Sequence, residues 1–99
     1  KENGSRGTDH AEATAMFVVG GGVKGGVYNC DKNTWKNGDM FSTNNERYLL
    51  RKTDFRSVFG EIFTDHFGNT QKQLNQVIPT HTAAKKENPK DFKKLGLFA

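Results

Sequence analysis

The chain has few hydrophobic residues and a single cysteine. Hydrophobic residues make up 33% of its 99 positions, and no run approaches the roughly 18 consecutive apolar residues that a membrane span needs. Cys30 alone cannot form an internal disulfide, a CxxC redox pair or a zinc site built from cysteines. The sequence therefore predicts one small domain with a modest core and no membrane contact.

The excess positive charge lies near the end of the chain. Of the net charge of +4, residues 1–79 contribute +1 and residues 80–99 contribute +3. The five lysines of this last segment are interspersed with Glu87 and Asp91, a pattern typical of a solvated segment. We therefore expect residues 80–99 to form a basic tail or a docking strap, and we do not expect nucleic-acid binding.

Two short apolar segments flank a glycine-rich stretch. Residues 15–19 form an apolar run that ends at Gly20, and this length and these flanks predict a strand buried on both faces. Residues 25–28 predict a second, short strand. The pattern GxGxxG is present from Gly20 to Gly25, but no helix pattern opens after it, so a dinucleotide site is not expected.

The clearest periodic pattern predicts an amphipathic helix over residues 53–67. Six apolar residues share one face at helical spacing: Phe55, Val58, Phe59, Ile62, Phe63 and Phe67. Thr53 is the expected N-cap and Gly68 the expected C-terminal stop. Residues 70–78 predict a second short helix that ends before Pro79. The fold class expected over residues 1–79 is a single small α/β domain with a short sheet and one main helix.

The region between the strands and the helix has loop composition but carries large apolar side chains. Residues 29–46 hold five asparagines together with Trp35 and Phe41, which would pin the loop to an apolar surface. Leu97 and Phe98 form a second apolar group at the chain's end. We therefore take Trp35, Phe41, Leu97 and Phe98 as candidate protein-binding residues.

Asp9 and His10 form a candidate metal-ligand pair just before the first predicted strand. A carboxylate oxygen and an imidazole nitrogen suit zinc, iron or manganese. Two adjacent ligands do not complete a site, and the same pair also fits ordinary turn chemistry.

Three stretches of this sequence resemble a known family in matching order and spacing. Residues 2–10, 16–28 and 53–58 are similar to the C-terminal part of an uncharacterised bacterial sulfatase-like family in the alkaline phosphatase superfamily. The resemblance implies a partial alkaline-phosphatase-like fold, metal ligation by Asp9 and His10, and an exported, periplasm-like location. The nucleophile and the remaining metal ligands of such enzymes have no counterpart in these 99 residues.

These observations lead to two hypotheses for function. The first is a non-catalytic protein-binding or assembly module, a truncated relative of sulfatase-like proteins that binds a larger protein or complex and requires no cofactor. The exposed strand and the apolar helix face would provide the contact, unless these groups simply cover one another. The alternative is the C-terminal fragment of a metal-dependent phosphate or sulfate ester hydrolase. In that case Asp9 and His10 would bind a divalent metal and Lys24 could contact an anion.

Overall fold

The computed structural model describes residues 4–7, 13–29 and 51–98. The chain divides into two compact units, one formed by residues 1–17 and 29–52 and the other by residues 18–28 and 53–99. The described residues of the first unit form turns, bends and irregular chain without a helix or strand. The helices of the described residues all belong to the second unit.

Helix α1 (Phe55–Glu61) is the centre of the second unit. Asp54 is its N-cap, and its side chain accepts a hydrogen bond from the Arg56 main-chain N–H at 2.9 Å. The helix continues as a π-helical turn over Ile62–His66 and stops at Gly68, which has a φ of +71°. The predicted helix and its glycine stop are confirmed, while the N-cap is Asp54 instead of Thr53.

Two further helices follow α1. Helix α2 (Gln71–Val77) begins with a capping box in which Thr70 and Gln73 exchange side-chain and main-chain hydrogen bonds. This confirms the helix predicted over residues 70–78. Helix α3 (His81–Glu87) and a 3₁₀ turn (Pro89–Phe92) come next. The sequence analysis missed both, because α3 buries only His81 and Ala84 and so shows no apolar periodicity.

The C-terminal segment lies against α1. The main-chain N–H groups of Leu95 and Leu97 each donate a hydrogen bond of 2.6 Å to the carboxylate of Glu61. The Leu97 carbonyl accepts from the Lys24 N–H, also at 2.6 Å. Leu97 is 4% exposed, and the segment therefore closes the small core that Leu74, Ala84 and Phe92 form.

The predicted α/β fold with a short sheet is wrong. Among the described residues the β-pairing consists of one isolated antiparallel bridge between Val23 and Phe98, and the architecture is a small helical one. The predicted strand at residues 15–19 is not formed, and Phe17 and Val19 are 89% and 94% exposed. A strand needs a neighbour along its length to satisfy its main-chain groups, and the bridge at Val23 lies outside residues 15–19. The expected partial alkaline-phosphatase-like sheet is corrected on the same ground.

The face that α1 buries is also different from the expected one. Phe55 and Phe59 remain 59% and 41% exposed, whereas Ser57, Gly60 and Glu61 are buried. Small residues allow α3 to approach closely, and the Glu61 carboxylate receives two main-chain donors, so this face can be buried without unpaired charge. The aromatic face is left on the outside of the unit.

Candidate functional site

Four phenylalanines form an aromatic ridge along α1 and the π-helical turn. They follow each other at intervals of four residues, the spacing that places side chains along one row of a helix: Phe55, Phe59, Phe63 and Phe67. The rings of Phe55 and Phe59 meet edge to face with centroids 6.3 Å apart, and those of Phe63 and Phe67 lie 5.9 Å apart. Phe67 is 63% exposed. The second unit thus presents a row of apolar rings at its surface.

The C-terminal Phe98 joins this ridge through His66. The His66 ring stacks on Phe98 with centroids 5.3 Å apart and meets Phe67 edge to face at 4.8 Å. Phe98 itself is half-buried. The structure therefore brings one of the four candidate protein-binding residues to the end of the aromatic ridge.

The other predicted site residues do not lie at the aromatic ridge or lie outside the described residues. Leu97 is buried against α1 and contributes to the chain's own core. Trp35 and Phe41 lie outside the described residues, as do Asp9 and His10. Lys24 is exposed and contributes its main-chain N–H to the C-terminal segment. Among the described residues, no group of three or more His, Cys, Asp or Glu side chains is placed to hold a metal ion.

The N-terminus of α1 is held by an ion pair between a buried carboxylate and a partly exposed guanidinium group. Asp54 is 1% exposed and receives two hydrogen bonds from the Arg56 guanidinium, at 2.9 and 2.7 Å. Hydrogen bonding to Asp54 raises the pKa of Arg56 above its ordinary value. The Asp54 N–H donates to the Asp91 carbonyl at 2.9 Å, which attaches the helix start to the 3₁₀ turn. The pair therefore fixes where the aromatic ridge begins.

A polar cleft of about 360 Å³ lies on the other side of α1 from the aromatic ridge. At 100° per residue, Ser57 and Glu61 project on the side of α1 opposite Phe55 and Phe59, and Thr64 of the π-helical turn lines the same cleft. Residues from α2, α3 and the C-terminal segment complete the lining, among them Leu74, His81, Lys85 and Lys94. We call this volume the His81 cleft.

His81 is a buried titratable side chain of the cleft. It is 6% exposed, its ring meets Phe92 edge to face at 5.3 Å, and Gln71 Nε2 lies 3.5 Å from its Nδ1. Burial, followed by the positive charges of Lys85 and Arg56, lowers the pKa of His81. The ring is therefore neutral at neutral pH.

Gly60 makes room for that ring. A Cβ built at Gly60 would lie 2.6 Å from His81 Nε2 and 3.1 Å from Cδ2. Any side chain at this position would meet the histidine, so α1 and α3 depend on glycine for their close approach. The sequence analysis missed both residues, because a single glycine inside an amphipathic pattern and a histidine in a polar stretch carry no periodic signal.

None of the helices in the described part of the chain has the length and apolar character to cross a bilayer. No protein-family profile, curated protein or solved structure matches this chain.

Proposed function

We propose that this chain is a non-catalytic protein-binding or assembly module that docks a larger protein through its aromatic ridge. The observation that carries the proposal is the inverted burial of α1, whose small and polar face is packed while its phenylalanines face outward. Aromatic side chains are the residues that most often dominate binding energy at protein interfaces. The support comes from this surface and not from an uncovered strand.

The exposed area of the aromatic ridge is large enough to contribute measurably to the free energy of binding. Phe55 and Phe67 are each more than half exposed, at 59% and 63%. Full burial of a phenylalanine side chain contributes about 1.5–3 kcal/mol. Because both residues start from partial burial, we expect each to contribute about 1–2 kcal/mol when a partner covers it.

The ridge also has a polar border suited to an interface. The Arg56 guanidinium carbon lies 5.7 Å from the centroid of the Phe55 ring, and at the other end the His66 ring meets Phe67 at 4.8 Å. Apolar centres with charged borders are the usual composition of protein interfaces. A protein partner with an apolar groove fits this arrangement.

The test is to purify the chain with its natural assembly and to measure the mass of the intact complex by native mass spectrometry. We expect one stoichiometric companion protein. The variant with Phe55→Gln and Phe67→Gln should bind it about 30-fold or more weakly, and Val77→Gln, which changes an exposed apolar residue on α2, should bind as the parent does. Because both sites are exposed, the free energy of unfolding should change by no more than about 0.5 kcal/mol per substitution. A chain isolated only at its own mass, or equal binding by all variants, would contradict the proposal.

A further inference from the structure

The His81 cleft has a surplus of hydrogen-bond donors. Its acidic residue, Glu61, already accepts from two main-chain amides at 2.6 Å, so its oxygens are engaged. The hydroxyl of Thr64 donates to the Gly60 carbonyl at 2.9 Å. Lys94 pairs with Asp65. These contacts engage Glu61, Thr64 and Lys94 within the cleft and leave other donors of its lining available.

Three polar groups of the cleft have no hydrogen-bond or ion-pair partner among the described residues. They are the hydroxyl of Ser57, Nε2 of His81 and the ammonium group of Lys85. Ser57 and His81 are 8% and 6% exposed, so two of the three are more than nine-tenths buried. Buried polar groups in folded proteins nearly always have a partner, and those that do not often mark a place that a ligand or water fills.

The tautomer of His81 makes its free nitrogen a donor. The amide nitrogen of Gln71 lies 3.5 Å from Nδ1, and an amide nitrogen donates, so we assign the ring proton of the neutral imidazole to Nε2. The Nε2 edge lies over Gly60, which lines the same cleft. A neutral imidazole N–H, a hydroxyl and an ammonium group thus line one volume.

The structure also contains a local signal of a site at this position. The π-helical turn Ile62–His66 begins directly after Glu61 and carries Thr64 into the lining of the cleft. Insertions of this kind are rare and frequently occur at functional sites. Leu74 and Phe92 add an apolar part to the same lining.

We propose that the His81 cleft binds a small organic oxyanion, with its phosphate or carboxylate group on Ser57, His81 and Lys85. Three donors without acceptors match the oxygen atoms of such a group. The volume of about 360 Å³ lies within the range of small-molecule sites, and the apolar lining suits the organic body of the ligand. This site lies across α1 from the aromatic ridge and is independent of the protein-binding proposal.

The experiment is a calorimetric titration of the full chain with phenyl phosphate, benzoate and inorganic phosphate. We expect saturable 1:1 binding of phenyl phosphate or benzoate with a dissociation constant below about 10 mM, and weaker binding of inorganic phosphate, which lacks the apolar body. Tighter binding of phenyl phosphate would assign a phosphate ester, and equal or tighter binding of benzoate would assign a carboxylate.

A matched pair of lysine variants tests the location. Lys85→Met should weaken binding about tenfold or more, because it removes a charged donor. Lys86→Met, the neighbouring exposed lysine of α3, should leave the affinity within about twofold. The ¹⁵N resonance of His81 Nε2 should shift on saturation in the parent chain. Absence of saturable binding, equal loss in both variants or an unmoved His81 resonance would overturn the proposal.

Discussion

Replacing Gly60 by alanine tests the close approach of α1 to α3. Two effects of opposite sign compete in this variant. Alanine favours the helical state by about 1 kcal/mol over glycine in a helix interior. The new Cβ would lie 2.6 Å from His81 Nε2, so the ring must move by about 0.8 Å to reach the 3.4 Å of ordinary contact.

The steric effect should win. Overpacking of a buried site costs about 1–3 kcal/mol, so we expect Gly60→Ala to lower the free energy of unfolding by about 1 kcal/mol net. For a chain of this size, that loss corresponds to a fall of about 4–8 °C in Tm. The measurement is urea denaturation followed by circular dichroism, with the slope m checked for constancy.

The double variant isolates the contact. In a His81→Ala background the ring is gone, and the remaining neighbour, Leu74 Cδ2, lies at an ordinary 3.5 Å from the position of the new Cβ. Gly60→Ala should then stabilise the chain by about 1 kcal/mol, which gives a coupling of about 2 kcal/mol between the two sites. The reasoning is refuted if Gly60→Ala is stabilising by the same amount in both backgrounds.

Three further predictions follow from the same packing. Glu61→Gln should lower the free energy of unfolding by about 1–3 kcal/mol, because an amide NH₂ would face a buried main-chain N–H. Glu87→Gln, at an exposed site, is the control. An equal fall in the free energy of unfolding in both variants would contradict the prediction. Burial lowers the pKa of His81 below its ordinary 6.5, so protons favour the unfolded chain and the stability present above pH 6.5 is lost as the pH falls. Between pH 7.5 and about 5, the parent should therefore lose more stability in thermal melts than His81→Gln does, and His66→Gln is the control. Identical pH profiles of the parent and His81→Gln would show that protonation of His81 does not set the pH dependence of stability. Thr70→Ala should cost about 1 kcal/mol by removing the capping box of α2, whereas an unchanged denaturation midpoint would show that the cap contributes nothing.

Local signals in the sequence were sufficient to predict two of the helices. The apolar period and Gly68 predicted the main helix, and Thr70 with Pro79 predicted the bounds of the second. Capping and glycine stops act over a few residues, so they can be recognised without knowledge of the fold. The predicted strand at residues 15–19 rested on no local signal of this kind, because a short apolar run does not show whether a neighbouring strand is present to pair with it.

The candidate functional residues likewise divide into those that the sequence could predict and those that required the fold. Phe98 could be named from the sequence as an apolar contact residue, but its stacking on His66 beside the aromatic ridge required the fold. Residues Ser57, His81 and Lys85 are separated by up to 28 positions and meet only because α1 and α3 pack together. Single polar residues at such separations have no spacing that a sequence pattern can reveal.

The sequence alone determined that two helices lie at residues 53–67 and 70–78, to within a residue or two at their starts, because caps, stops and periodicity are local properties. Only the tertiary structure decided which face of α1 is buried. A hydrophobic period marks an apolar face but does not say what will cover it, and here two main-chain amides satisfied Glu61 while a glycine admitted His81. These long-range contacts buried the polar face and left the phenylalanines outside.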